Sequence, residues 1–524
     1  MPIRMVKDPT QNTSDNYPGG GGGGGLPGGN GCLFAFLPLL FRNPKLLILL
    51  IVIGVAFYFL GGKSCISNMS NVNQTAGEFA LGADLNQAMY DKAEVFEPLA
   101  DNIKNPLPER VTLEQYAPQR LNQGKQGSCV AWSSAYSART IMRARETGEN
   151  PDQIAFSPSF LYNQIGLDNC QGSYIIRAME SMNKVGALPL KKFPYNEEDC
   201  TSQPQQYQLQ EASAYKINGF NRLSKSGDDY KVDMLAIKQN LAQGAPVVIG
   251  AMVGGSFMGE MKGQKVWIPS RSDYSKMGFG GHAMCVIGYD DYLEGGAFQI
   301  MNSWGTEWGE NGVAWIRYKD FDFFVKEAYG IYPMGNAVKQ NENQLQAEFG
   351  LVSYNNQTGD LKNLPAVPLK YTTDITYQTV SPLKKGEKFK VAVANSSACY
   401  TYIFGQETDG SSYVLFPYTP KHSPYCGITG LRYFPKDFSM QADEKGNKDF
   451  MAVVMTKKPI DYKVLNQAIA ASKQATYAEK VKDAVRGQMK LLGVRFVPKN
   501  GNVMFSTSMQ ADNAIAFVIE VDKQ

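Results

Sequence analysis

From Leu46 to Leu60 the chain carries no charged side chain, and Gly61 and Gly62 extend the run to about 17 residues, the lower limit for a helix that crosses a bilayer. It is the one candidate for a membrane span, and it confines any large folded core to the residues that follow. Arg42 and Lys45 stand directly before it and Arg4 and Lys7 further back, while only Lys63 follows closely. That bias predicts an N-terminus in the cytoplasm and everything after Lys63 outside. Leu33 to Phe41 is apolar but too short to span, and is expected at the interface. Residues 1–31 are polar and then Gly-rich from Gly19 to Gly25, a composition too poor in apolar surface to offset its chain entropy, so a disordered tail is expected there. A cleaved leader is the alternative, but it would be unusually long and no small-x-small site precedes Ser64.

The 524 residues suggest two to four folded units. Lys and Arg nearly balance Asp and Glu, leaving +3 and no basic block, which argues against nucleic acid as a partner. The expected organisation is a tail (1–31), an anchor (32–62, span about 46–62), a stalk (63–105), a first domain (106–334) and a β-rich second domain (347–524). In the stalk, Leu85, Met89, Ala93, Phe96 and Leu99 give a weak helical periodicity. In the second domain strands are expected over 389–394, 400–404, 413–417 and 450–455, and a helix over 475–492.

The chain has only two histidines. His282 lies in Gly280-Gly281-His282-Ala283, downstream of Gln123-Gly-Lys-Gln-Gly-Ser-Cys129-Val-Ala-Trp132 and just before Asn302-Ser-Trp-Gly. These segments supply a thiol, an imidazole, an amide to orient the imidazole, and a second amide ahead of the thiol, the parts of a cysteine nucleophile with its base and oxyanion donor. Ser128 is positioned to cap a helix that starts at Cys129, where the helix dipole favours thiolate. A hairpin centred on Tyr292 would set His282 and Asn302 opposite one another. The other histidine, His422, falls in a polar loop and is expected to be exposed. Two histidines in different domains leave no His-based zinc site, so no metal and no cofactor are expected.

Gln123…Cys129, Gly-His282-Ala and Asn302-Ser-Trp-Gly, in that order, resemble the papain family of cysteine peptidases over roughly Leu107 to Pro333. The resemblance implies an α+β, papain-like fold of two lobes, one helical and one β-barrel-like, here followed by the β-rich accessory domain and preceded by a transmembrane helix. It implies Cys129 as nucleophile, His282 as base and acid, Asn302 as its orienter and Gln123 as oxyanion donor, with Gly172, Ser173, Gly281 and Trp304 along the substrate. Gln126 and Val130 stand where the family usually has Cys and Trp, and Gly172-Ser173 replaces Gly-Gly. The missing Cys leaves Cys170 free to pair with Cys200; Cys399 with Cys426 is a second candidate disulfide, and Cys285 is expected to be a core thiol. Asp409-Gly-Ser-Ser-Tyr-Val-Leu-Phe-Pro417 and Met455-Thr-Lys-Lys-Pro459 resemble an uncharacterised β-rich module that accompanies peptidases and kinases in bacteria.

The expected function is thus a membrane-anchored cysteine peptidase acting on peptides or proteins outside the cytoplasm, in a bacterial periplasm or at the cell surface, with an envelope partner for the accessory domain. Two rivals share the residues: a retired site kept for binding, which the departures at Val130 and Ser173 favour, and a thiol enzyme that transfers acyl groups to amines. Cys65, just beyond the apolar run, is placed to link two chains.

Overall fold

The computed structural model describes residues 3–8, 79–225, 231–332, 344–354, 364–436 and 438–524. The apolar run 46–62, Cys32, Cys65 and most of the Gly-rich tail lie outside the described residues. Among the described residues no helix is long and apolar enough to cross a membrane.

One lobe of the first domain is helical. Its central element opens at Cys129–Ala131, widens into π turns over Trp132–Arg139 and continues as Thr140–Thr147, ending where Gly148 turns left-handed at φ 73°. Val130, Ala131, Ala135, Ala138 and Ile141 are fully buried. The other lobe is a sheet of eight strands in which Val325–Ile331, Val247–Val253, Gly280–Asp290 and Ala297–Met301 are successive neighbours. Nearly every residue of the two middle strands is buried, so they read as continuous apolar runs without alternation.

The accessory domain is a sandwich of two eight-stranded sheets, with two helices outside the second. The strand Lys448–Thr456 shows how its sequence sorts the layers: Met451, Val453 and Met455 enter the core between the sheets, while Ala452 and Val454 face the helices Tyr462–Ala471 and Tyr477–Arg486. The helix expected over 475–492 forms as Tyr477–Arg486, and Tyr462–Ala471 precedes it where no helix was expected. Asp461 caps the first, and Thr476 with Glu479 forms a capping box that starts the second.

Three further expectations need correction. Residues 1–31 are not uniformly without structure: Ile3–Lys7 form an edge strand antiparallel to Phe438–Ala442, with Ile3 in the sandwich core and Asp8 paired to buried Lys390 at 2.6 Å. Among the described residues of the stalk, 79–105, only Gln87–Tyr90 is α-helical, because the other apolar residues are spent on contacts with two different domains while the chain runs extended. Cys399 and Cys426 are opposed across two strands but remain free thiols, the Cys426 sulfur lying 3.5 Å from Thr401 Oγ1. Cys170 and Cys200, by contrast, are joined by a disulfide, and Cys285 is a buried free thiol.

Residues 91–105 tie the two domains together. Val95 pairs with Arg222 on one side and His422 on the other. The buried Glu97 carboxylate accepts from Tyr418 Oη and from the Lys436 amide, each at 2.9 Å, and Lys436 Nζ continues to Asp233 at 2.6 Å. His422 is therefore buried at this junction, against the expectation of exposure; its Nδ1 lies 2.7 Å from Thr419 Oγ1 and its ring packs on Tyr418.

Candidate active site

Cys129 begins the central helix with its side chain fully buried, and its Sγ accepts from the backbone N–H of Ala283 at 3.4 Å. The thiol therefore abuts the residue after His282. Ser128 precedes the helix without capping it; its hydroxyl meets Tyr195 Oη at 2.9 Å. Tyr195 in turn donates to the Gln123 carbonyl at 2.7 Å, which ties both ends of the loop from Gln123 to Cys129 to one phenol. Gln126, at the position of the absent Cys, sends its amide toward the carbonyls of Asn196, Glu197 and Asp199 at 3.2–3.4 Å. A polar web thus does the tethering that a covalent bond would otherwise do.

His282 lies on the strand Gly280–Asp290, paired to Ala251. Its Nε2 is 2.8 Å from Asn302 Oδ1. That atom also accepts from the Ser303 amide at 2.8 Å, which identifies it as the oxygen. Nε2 therefore carries the proton, and Nδ1 is left as the basic nitrogen, with no hydrogen-bond partner among the described residues. Trp304 stacks on the imidazole with centroids 4.3 Å apart. The hairpin forms, but Cys285 faces Met301 and a bulge follows, so His282 and Asn302 meet diagonally beyond the paired residues and are not a direct cross-strand pair.

The Gln123 side chain is held from both ends. Ser303 Oγ donates to its Oε1 at 2.6 Å, while Nε2 donates to the carbonyls of Gln126 at 2.9 Å and Ala80 at 3.2 Å. Ser303, Tyr195 and Ala80 are absent from the sequence reading. Ser303 could have been noticed from its place beside Asn302; the other two have no local signal.

Ala80 belongs to a segment that occupies the cleft. The amides of Gly82 and Ala83 donate to the Gly281 carbonyl at 3.3 and 3.1 Å, Ser173 N–H donates to the Gly82 carbonyl at 2.8 Å, and Asp84 N–H donates to the Ser173 carbonyl at 3.0 Å. Trp304 Nε1 donates to the Ala80 carbonyl at 3.1 Å. Gly172, at φ 94°, lets this backbone pass, since a Cβ there would come 2.3 Å from the Gly82 oxygen. Gly172, Ser173, Gly281 and Trp304 thus all border an extended peptide that is part of the chain itself.

Covering the cleft sets the charges. Burial pushes the Cys129 thiol up to about 12, against the opposing hydrogen bond from Ala283, and holds the His282 imidazole down to about 4, against the opposing bond to Asn302. In this state both groups are neutral near pH 7. Burial thus opposes the thiolate that the helix dipole favours.

The family model for papain family cysteine protease matches residues 108–332. Over 217 residues the chain is 30% identical to an uncharacterized peptidase C1-like protein of Acanthamoeba polyphaga mimivirus, covering 40% of this chain and 67% of that one. It is 26% identical over 207 residues to the cathepsin B-like CP2 of Giardia intestinalis, covering 37% of this chain and 62% of the relative. Among solved structures, xylellain, a cysteine protease from Xylella fastidiosa, matches with a TM-score of 0.40 and 24% identity over 49% of this chain and 96% of that one. With the motifs around Cys129, His282 and Asn302 gathered at one cleft, the chain belongs to the papain family of cysteine proteases.

Proposed function

We propose that the chain hydrolyses peptide bonds and that Ala80–Leu85 keeps it latent until that segment leaves the cleft. The observation that carries this reading is the peptide already seated: four backbone hydrogen bonds hold an extended segment beside Cys129 and His282, as a cleft built for peptides would. With the segment gone, His282 Nδ1 takes the Cys129 proton, the thiolate attacks the carbonyl carbon, and Gln123 Nε2 with the Cys129 N–H receives the oxyanion. The imidazolium, oriented by Asn302, returns its proton to the leaving amine; water then repeats the sequence on the thioester and regenerates the thiol.

The test is intact-mass labelling of the full-length chain carrying Leu85→Asp, which dislodges the segment, with an epoxysuccinyl probe alongside peptide turnover. One adduct on Cys129, lost in Cys129→Ala and slowed in His282→Ala, supports the reading. Gln123→Ala is expected to lower turnover by about 100- to 1000-fold. An unlabelled thiol with no turnover would leave the retired binding site as the better account, and amide products formed with an added amine would favour acyl transfer.

The same proposal includes attachment to a membrane through 46–62, with the catalytic domain outside a bacterial cytoplasm and an envelope partner for the sandwich. A single crossing between Thr10 and Ala80 and the pairing of Ile3–Lys7 with Phe438–Ala442 exclude one another, because they place the first strand on opposite sides. An Arg4→Cys, Gln441→Cys pair decides: these positions face each other in the strand register, so a disulfide between them would end the single-crossing topology.

A further inference from the structure

Met277 is 85% exposed, the highest value for a large apolar side chain among the described residues, and Tyr274, 40% exposed, stands in the same turn. The Tyr274 ring packs edge-on against Phe323 of the helix Tyr318–Phe324, with centroids 5.2 Å apart, and Phe323 is itself 37% exposed. Large apolar groups left open together in this way mark a surface that meets something other than water.

The patch is framed by cations. Lys276 Nζ donates to the Phe323 carbonyl at 3.2 Å and Lys326 Nζ to the same oxygen at 2.9 Å, and Lys276 Nζ also lies 4.0 Å from the centre of the Phe323 ring. The salt bridge formed here joins Arg317 to buried Asp320 and reaches neither ammonium. Burial and the neighbouring Lys326 charge hold Lys276 down to about 8, so the pair lacks a counter-charge. Over residues 268–279 and 318–326, Arg271, Lys276, Lys319 and Lys326 are exposed or half-buried against Asp322, while Asp273 and Asp320 are buried.

The loop that carries Met277 runs directly into the strand Gly280–Asp290, and a Cβ at Gly280 would come 2.5 Å from Leu81 Cδ1. The inhibitory segment therefore lies beside the patch near its own start. Residues 63–79 join it to the apolar run 46–62, a reach of at most about 60 Å. With that run in a bilayer, the lipid surface is always within range of the patch. A second copy of the chain fits poorly, because a two-fold contact would set these cations against themselves. A hydrophilic polyanion would satisfy the lysines and leave Met277 and Phe323 with nothing to enter. An anionic bilayer answers both, taking apolar side chains between its headgroups and lysines at its phosphates.

We propose that Tyr274, Met277 and Phe323, with Lys276 and Lys326, dock the peptidase domain on an anionic lipid surface, beside the entry to the cleft. The inference extends the membrane attachment proposed through 46–62 and does not depend on the chemistry at Cys129.

The test takes the full-length chain with vesicles of phosphatidylcholine alone or with about 30% phosphatidylserine, and combines flotation with hydroxyl-radical footprinting. On the anionic vesicles Met277 should oxidise about fivefold or more slowly than on the neutral ones, while the exposed Tyr207 and Tyr371 keep their rates. Salt at about 0.5 M, or Lys276→Glu with Lys326→Glu, should remove that protection. Flotation on both vesicles with equal oxidation of Met277 overturns the docking surface and keeps the attachment. Protection confined to anionic vesicles, with no flotation on neutral ones, supports the docking surface and removes the attachment. Protection that grows with protein concentration in the absence of vesicles assigns the patch to a second copy and overturns the proposal, and no flotation on either vesicle removes both.

Discussion

The two halves of the segment before the catalytic domain differ in how much of their anchoring depends on side chains. Residues 80–84 lie in the cleft through main-chain hydrogen bonds to Ser173 and Gly281, which any extended peptide could make. Residues 91–105 lie between the two domains through main-chain bonds, such as Val95 N–H to the Lys421 carbonyl at 2.6 Å, reinforced by side chains that only this sequence supplies, above all Glu97 with Tyr418 and Lys436. The first mode is built for exchange and the second for permanence. Opening the enzyme therefore requires only the first half to move, with Gln87–Tyr90 as the short helix between them.

The largest expected effect comes from placing a charge on the exchangeable half. Leu85 packs on Gly250 and Gly281 beside the buried Glu327, whose Oε1 accepts from the Asn86 amide at 3.2 Å. Leu85→Asp puts a carboxylate there, and an unpaired buried charge costs about 3–5 kcal/mol, so epoxide labelling of Cys129 should accelerate by about 100-fold or more. Labelling that stays slow would show that the cleft is closed by something other than this segment. Glu97→Ala strikes the permanent half instead. Loss of two hydrogen bonds to a carboxylate should lower stability by about 3 kcal/mol and reduce Tm, with labelling changed only a few-fold. If it accelerates labelling as much as Leu85→Asp does, the two halves act as one device.

The pH dependence sharpens the same contrast. His282 is held below its usual 6.5, so its contribution to the closed state is complete above pH 6.5 and is lost as pH falls toward 4. Glu327 is raised by burial from 4.5 to about 8, so its contribution is complete below 4.5 and is lost as pH rises toward 8. The closed state should thus loosen in both directions, and Glu327→Gln should leave only the acid side. A labelling profile with the same alkaline limb in Glu327→Gln would refute this. The smallest effect is expected from Ser303→Ala, which frees one end of the Gln123 amide; about 1 kcal/mol, or some five-fold in turnover, should be lost without a change in the pH profile.

The groups that meet at the cleft were legible because each sits in a short motif whose neighbours are its own structural supports: Gly281 beside His282, Ser303 and Trp304 beside Asn302. The papain-like architecture followed from the same motifs. What stayed hidden depends on contacts between distant residues. Residues 80–84 bind through backbone atoms, which leave no mark in side-chain pattern. The apolar spacing through Leu85, Met89, Ala93, Phe96 and Leu99 imitates a helix, yet Leu85 serves the cleft while Leu99 faces Gly430 of the accessory domain. His422 reads as a loop histidine because the groups that bury it come from residues 91–105 and from its own turn. The helix within 475–492 was legible from its pattern and the capping box at Thr476 and Glu479, while Tyr462–Ala471, capped by Asp461, went unread.

Because the inhibitory segment is tethered, it competes with substrate at a fixed local concentration, in the millimolar range for a short connection. A free peptide using the same four main-chain bonds starts at that disadvantage whatever its sequence. Until the tether is cut, the chain is therefore a filter for concentration as well as for sequence: dilute peptides are turned away, and a substrate held nearby, on the accessory domain or on a shared surface, is admitted.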